Sequence, residues 1–138
     1  MRRVLIDTNV VLDVLLNREP HVAASSAVWM AIETGFVEGL LAAHSVTTIH
    51  YLIRKQQGVA NARRTLGGIL RVFGVAAVDA TAIQDALRLP GPDFEDSVTA
   101  AAAKLAGCDL IVTRDPHGFR GSPVRALTPA AAAPILAR

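Results

Sequence analysis

The chain has a single cysteine, Cys108, among its 138 residues. An internal disulfide is therefore impossible, and a reducing cytoplasm suits a lone small thiol placed beside an apolar strand. Aromatic residues are scarce at 4%, so stacking on a series of bases has no obvious platform. Trp29 and Tyr51 read as packing residues. Charged residues make up only 19%, too few for a disordered, self-repelling chain. No apolar run nears the roughly 20 residues of a membrane-spanning helix. The basic-then-apolar start, Arg2-Arg3-Val4-Leu5-Ile6, stops at Asp7, too soon for a signal-peptide core. There is no P-loop, no glycine-rich dinucleotide fingerprint and no internal repeat. The net charge is only +2 despite a pI near 9.2, which permits a nucleic-acid partner without indicating one.

What is present is aliphatic. Apolar residues reach 51% and mean hydropathy is +0.37, enough for a real core built from Ala, Val and Leu. The length suits one domain, residues 1–138. Short apolar runs at Val4–Ile6, Val37–Ala42, Phe73–Val78 and Asp109–Thr113 read as strands. Helical patterns fill Asn9–Leu16, His21–Thr34, Ser45–Arg54, Val59–Val72, Thr81–Leu89 and the alanine-rich stretch from Asp93 to Gly107. Ser45 is the expected cap of its helix. Gly67-Gly68 is expected to interrupt the helix around it, and Pro134 the C-terminal one after Thr128-Pro129. Alternating strands and helices predict a three-layer α/β/α sandwich around a mostly parallel sheet.

In such a sheet, ligands bind beyond the carboxyl ends of the strands. Ile6-Asp7-Thr8-Asn9 puts a carboxylate and an amide there, although Asp7 or Asn9 also suits capping of the next helix. Val112-Thr113-Arg114-Asp115 repeats the pattern, although Asp before Pro is also a common turn pair. Asp93 reads mainly as the N-cap of the alanine-rich helix, with Asp96 at its third position. Carboxylates crowded on one rim repel each other, which raises at least one pKa. Mg²⁺ or Mn²⁺ relieves that repulsion, since hard ions suit a few carboxylates and several waters.

These stretches together, Ile6-Asp7-Thr8-Asn9, Asp93-Phe94-Glu95-Asp96-Ser97 and Val112-Thr113-Arg114-Asp115, resemble the PIN domain over essentially the whole chain, most of all the VapC-type toxins. The resemblance implies a metal-dependent endoribonuclease, the toxin of a type II toxin–antitoxin pair, with Mg²⁺ or Mn²⁺ as cofactor. It implies RNA as substrate and an antitoxin and a second copy of the chain as partners, in the cytoplasm. Asp7, Asp96 and Asp115 match the catalytic, metal-binding acids. Asn9 and Thr113 match polar residues that support them, with Asp93 beside. Thr48 stands where the family usually carries a further acid, a departure that also allows a degenerate module which binds RNA or protein without cutting. A phosphatase of the haloacid-dehalogenase type shares the first Asp but wants a second two residues later, and here that position is Asn9.

The remaining polar residues carry less. Arg54, Lys55, Arg63 and Arg64 form a basic stretch that reads as a solvated face or as phosphate contacts. His50 lies at the edge of a buried face. His21, His44 and His117 stand isolated, with no chemistry assigned. The apolar faces of Val10–Leu16 and Val22–Ile32 exceed what a small sheet needs, leaving surface for a dimer or an antitoxin segment.

Overall fold

The computed structural model describes residues 2–137. Five strands, β1 (Arg2–Ile6), β2 (Val37–Ala42), β3 (Gly74–Ala76), β4 (Leu110–Val112) and β5 (Ala126–Leu127), form one sheet in the order β3-β2-β1-β4-β5. Every pairing is parallel, with Leu5 opposite Leu40 on one side and Ile111 on the other. Parallel strands buried on both faces carry near-continuous apolar runs, and β1 and β4 do so here.

The alternation of side chains across each strand builds two cores. Val4, Ile6, Leu41, Leu110 and Val112 face one layer of helices: α1 (Thr8–Leu15), α2 (Val22–Glu33), α3 (Ala43–Gln57), α4 (Val59–Val72) and α7 (Pro129–Leu136). Leu5, Leu40, Ala42 and Ile111 face the other, where α6 (Phe94–Leu105) lies flush on the sheet through Ala100, Ala102 and Ala103. The alanines let that helix approach closely. α5 (Ala80–Leu87) packs against α6 through Ala82, Ala86, Val98 and Ala101. The three-layer architecture expected from the sequence is the observed one. Cys108 is a core residue of the second layer, and burial pushes its thiol up to about 11, which makes it unreactive.

Four local expectations are corrected. Ser45 is not a cap: α3 starts two residues earlier, its capping position is Ala42, and Ser45 is buried inside the helix. α4 runs unbroken through Gly67-Gly68, because burial of Ala62 and Ile69 outweighs a glycine penalty of about 1 kcal/mol each. α7 likewise continues past Pro134, held by buried Ala132 and Leu136. Finally, the apolar face of α1 is not surplus, since Val10, Val11 and Leu12 are all in the core; on α2, Met30 stays exposed.

The winding places the site. From β1 the chain moves outward to β2 and β3 on one side, while β4 and β5 add on the other. The winding thus changes direction between β1 and β4. The crevice beyond the carboxyl ends of those two strands is the usual ligand position in an open α/β sheet. Asp7 follows β1 there, and Thr113 follows β4. No helix among the described residues is long and apolar enough to cross a membrane.

Candidate active site

Adjacent parallel strands bring residues 7 and 113 side by side. The Asp7 amide donates to the Val112 carbonyl at 2.9 Å, extending the ladder one step past the strands. The Asp7 carboxylate then does two things. Oδ1 accepts from the Thr8 amide (2.9 Å), which caps α1. Oδ2 accepts from the Thr113 hydroxyl (2.8 Å) and from Asn9 Nδ2 (3.3 Å). Capping and site chemistry are thus not alternatives at this residue. Asn9 Oδ1 accepts from the Arg114 amide (3.3 Å), and Thr113 Oγ1 accepts from the Asp115 amide (3.1 Å). Thr113 is fully buried. The network locks the start of the loop after β4 to the start of α1.

Asp93 caps α6 by accepting from the Asp96 amide at 3.0 Å. That bond fixes the first turn and aims Asp96 toward the 3-10 turn Pro116–Phe119. Gly118 in that turn makes the approach possible. A Cβ there would collide with Asp96 Oδ2 and sit 3.7 Å from Asp115 Oδ2. The two carboxylates therefore flank the space that a side chain at 118 would occupy.

The electrostatics record the crowding. Asp7 has its pKa raised, first by burial and further by Glu95, against the lowering effect of its bonds from Thr113 and Thr8. Asp96 is pushed up to about 7, first by burial and then by repulsion from Asp7, Asp93, Glu95 and Asp115. A carboxylic acid raised in this way, by burial and then by neighbouring carboxylates, is a place where a counter-charge would be favoured.

Three residues passed over in the sequence belong here. Glu95 adds charge to both Asp7 and Asp96. His44, isolated in the sequence, lies in the first turn of α3 with Nε2 3.2 Å from Thr99 Oγ1. That hydroxyl donates to the Glu95 carbonyl at 3.1 Å, so the imidazole supplies the hydrogen at Nε2 and leaves a buried Nδ1 without a partner. His44 also lowers the pKa of Asp7. The third is Asp13, wholly buried on α1. Arg114 Nε lies 2.8 Å from its Oδ2, Arg18 approaches its Oδ1 at 4.0 Å, and the Ser25 hydroxyl donates to Oδ2 at 3.4 Å. One lone charge within Val10-Val11-Leu12-Asp13-Val14-Leu15 was the available signal.

Thr48 lies one helical turn beyond His44 on α3, on the same face, and its side chain makes no hydrogen bond among the described residues. The basic residues are farther off. Arg54 and Lys55 are exposed in the last turn of α3, about 15 Å of helix axis from His44. Lys55 Nζ sits 5.4 Å from the Tyr51 ring centroid. Arg63 and Arg64 are exposed on α4. Arg63 and His50 share an apolar cleft of about 460 Å³ between α3 and α4 with Val46, Leu66 and Leu70. None of the site acids lines it.

Among the described residues, no three His, Cys, Asp or Glu side chains are gathered as a ready metal cage. The donor set is nonetheless all hard oxygen, and a cation would relieve the repulsion that adds to burial in raising Asp96. An ion that keeps most of its waters and takes one or two carboxylates, as Mg²⁺ does, suits this arrangement. A fully dehydrated ion does not.

A family model for the PIN domain matches residues 3–117. The chain belongs to the PIN-domain family. Solved structures share the fold. FitAcB from Neisseria gonorrhoeae superposes with a TM-score of 0.74 at 20% identity, over 91% of this chain and 97% of that one. DNA-bound VapBC from Salmonella typhimurium gives 0.71 at 16% identity, over 94% and 99%. VapC20 from Mycobacterium tuberculosis, a sarcin–ricin loop cleaving toxin, gives 0.61 at 15% identity, over 78% and 86%. No curated protein matches the sequence.

Proposed function

We propose that this PIN domain is a metal-dependent endoribonuclease, the toxin of a type II toxin–antitoxin pair, acting in the cytoplasm. The observation that carries the reading is the gathering of Asp7, Asp96 and Asp115 on one rim, where burial first and then carboxylate repulsion push Asp96 up to about 7. Structural neighbours support the biological setting: one is a toxin–antitoxin complex from Klebsiella pneumoniae, another the sarcin–ricin loop cleaving toxin. An antitoxin and a second copy of the chain are the corresponding partners, and RNA the substrate.

Asp7, Asp96 and Asp115 would hold Mg²⁺ or Mn²⁺, which when bound lowers the pKa of water and polarises a phosphoryl oxygen. The protein supplies orientation. Thr113 and Asn9 fix the Asp7 carboxylate through Oδ2. Asp93 fixes the turn that carries Asp96, and Asn9 and Thr113 fix the backbone that carries Asp115. Such hydrogen bonds to an ionised group are stronger than neutral ones, so the acceptor stays aimed.

A second reading, a module that binds RNA or protein without cutting, is favoured by two observations. Thr48 offers no carboxylate, and no three-ligand cage is gathered. The test is cleavage of a mixed RNA pool with Mg²⁺, with Mn²⁺ and with EDTA. The nuclease reading expects metal-dependent cutting that falls about a hundredfold or more in Asp7→Asn, with the melting temperature held. A well-folded wild type that cuts under no metal establishes the binding module instead.

A further inference from the structure

Arg114 is held by one edge of its guanidinium. Nε lies 2.8 Å from buried Asp13 Oδ2, while the terminal nitrogens make no hydrogen bond or ion pair among the described residues. The side chain is about a third exposed at 31%, and it lines a cleft of about 390 Å³ with Pro20, His21, Ala24, Thr128, Pro129 and Ala130.

The cleft has the chemistry of an anion site. Asp13 sits between two guanidinium groups, Arg114 and Arg18, so the trio carries net positive charge. His21 adds a ring nitrogen to the lining. The first turns of α2 and α7 both open here, and among the described residues the amides of Ala24 and Ala130 bond to no carbonyl. Arg114 also stands between Thr113, which donates to Asp7, and Asp115. The backbone that carries Arg114 is tied through Asn9 to the rim, where the protein is negative and a polyanion needs a positive neighbour. The Nε contact is an ion pair and not an aligned hydrogen bond, and the planar fork keeps its terminal donors for a phosphate.

We infer that the Arg114 cleft is a phosphate subsite that seats an RNA backbone phosphate flanking the one at the carboxylate rim. Asp13 is the positioning residue that holds Arg114. The inference rests on the proposed ribonuclease function for its choice of RNA, and a binding test in EDTA separates the two.

The probe is a fluorescein-labelled single-stranded RNA oligonucleotide, titrated with the full chain at several salt concentrations. Ala130 is exposed at the cleft and takes no part in the ion pair. Ala130→Glu should weaken binding severalfold and Ala130→Lys should strengthen it. Matched variants Gln84→Glu and Gln84→Lys, on exposed α5, control for net charge and should change little. Arg114→Gln should flatten the dependence of log K on log salt by about 0.7, the loss of one phosphate contact on a single strand. If the wild type binds no RNA, or if the residue 130 variants behave like wild type or like the residue 84 pair, the subsite is wrong. Cutting in Mg²⁺ with no effect at 130 removes the subsite and keeps the nuclease. Binding that responds at 130 without cutting does the reverse.

Discussion

At the residue scale, Gly118 sets how closely two carboxylates can approach. It lies between Asp96 Oδ2 and Asp115 Oδ2, and a methyl group placed there collides with the first of them. Relief is local, because the Asp96 carboxylate is the end of a short side chain and need only rotate away. Gly118→Ala should therefore leave the melting temperature within a few degrees while lowering the Mn²⁺ affinity and the RNA-cutting rate. A shift of a reacting group by about 1 Å is worth up to about a hundredfold in rate. Calorimetric titration with Mn²⁺ alongside thermal melts separates the two effects. Unchanged metal affinity in a stable variant would show that Asp96 is not a ligand. Nothing in the one-letter sequence marks this glycine: it sits in a polar loop, and only the turn Pro116–Phe119 reveals what passes over it.

At the element scale, α1 does more than cover the sheet. Its first turn is capped by Asp7, its Asn9 receives the Arg114 amide, and its Asp13 holds the Arg114 side chain. One short helix thus fixes the loop after β4 at two points. Breaking a buried pair from one side leaves an uncompensated charge and costs about 3–5 kcal/mol, whereas replacing both partners with apolar groups is often neutral. Arg114→Met leaves the wholly buried Asp13 without its nearest partner and should be strongly destabilised, and adding Asp13→Leu should regain stability by chemical denaturation. RNA binding should not return with it. A double variant that is as weak as Arg114→Met would mean that the pair itself, not the avoided charge, holds the loop. The sequence made the ends of β1 and β4 and the Asp93 cap legible, because each is a local pattern of apolar run followed by polar residue. It made neither the Asp13–Arg114 pair nor the His44–Thr99 contact legible, because both join residues far apart along the chain. β5 escaped notice for a simpler reason: at two residues, Ala126–Leu127, it is too short to show a period.

At the scale of the molecule, the carboxylate rim sets how stability varies with pH. Asp96 has a folded pKa of about 7 against an ordinary 3.8, and Asp7 is raised as well. Below about pH 4, both groups are protonated folded or unfolded, and they cost nothing. As pH rises from there toward 7, the unfolded chain gives up protons that the folded chain still holds. Stability falls wherever the unfolded state binds fewer protons. Above about pH 7 Asp96 ionises in both states and its contribution stays at its least favourable. A cation at the rim works against this trend, because it stabilises the ionised carboxylates, and its affinity should drop as protons compete for Asp96 below neutrality. Metal-free protein should therefore melt at a higher temperature near pH 5 than near pH 8 as far as this rim is concerned. Saturating Mg²⁺ or Mn²⁺ should raise the melting temperature most at the alkaline end. Asp96→Asn removes the largest titrating member and should flatten the metal-free pH dependence while reducing the response to metal. Differential scanning fluorimetry across that range, with EDTA and with each ion, measures all of this before any RNA target is known. Parallel pH profiles for wild type and Asp96→Asn would mean that the crowding at the rim does not carry the charge deficit from which the metal site is argued.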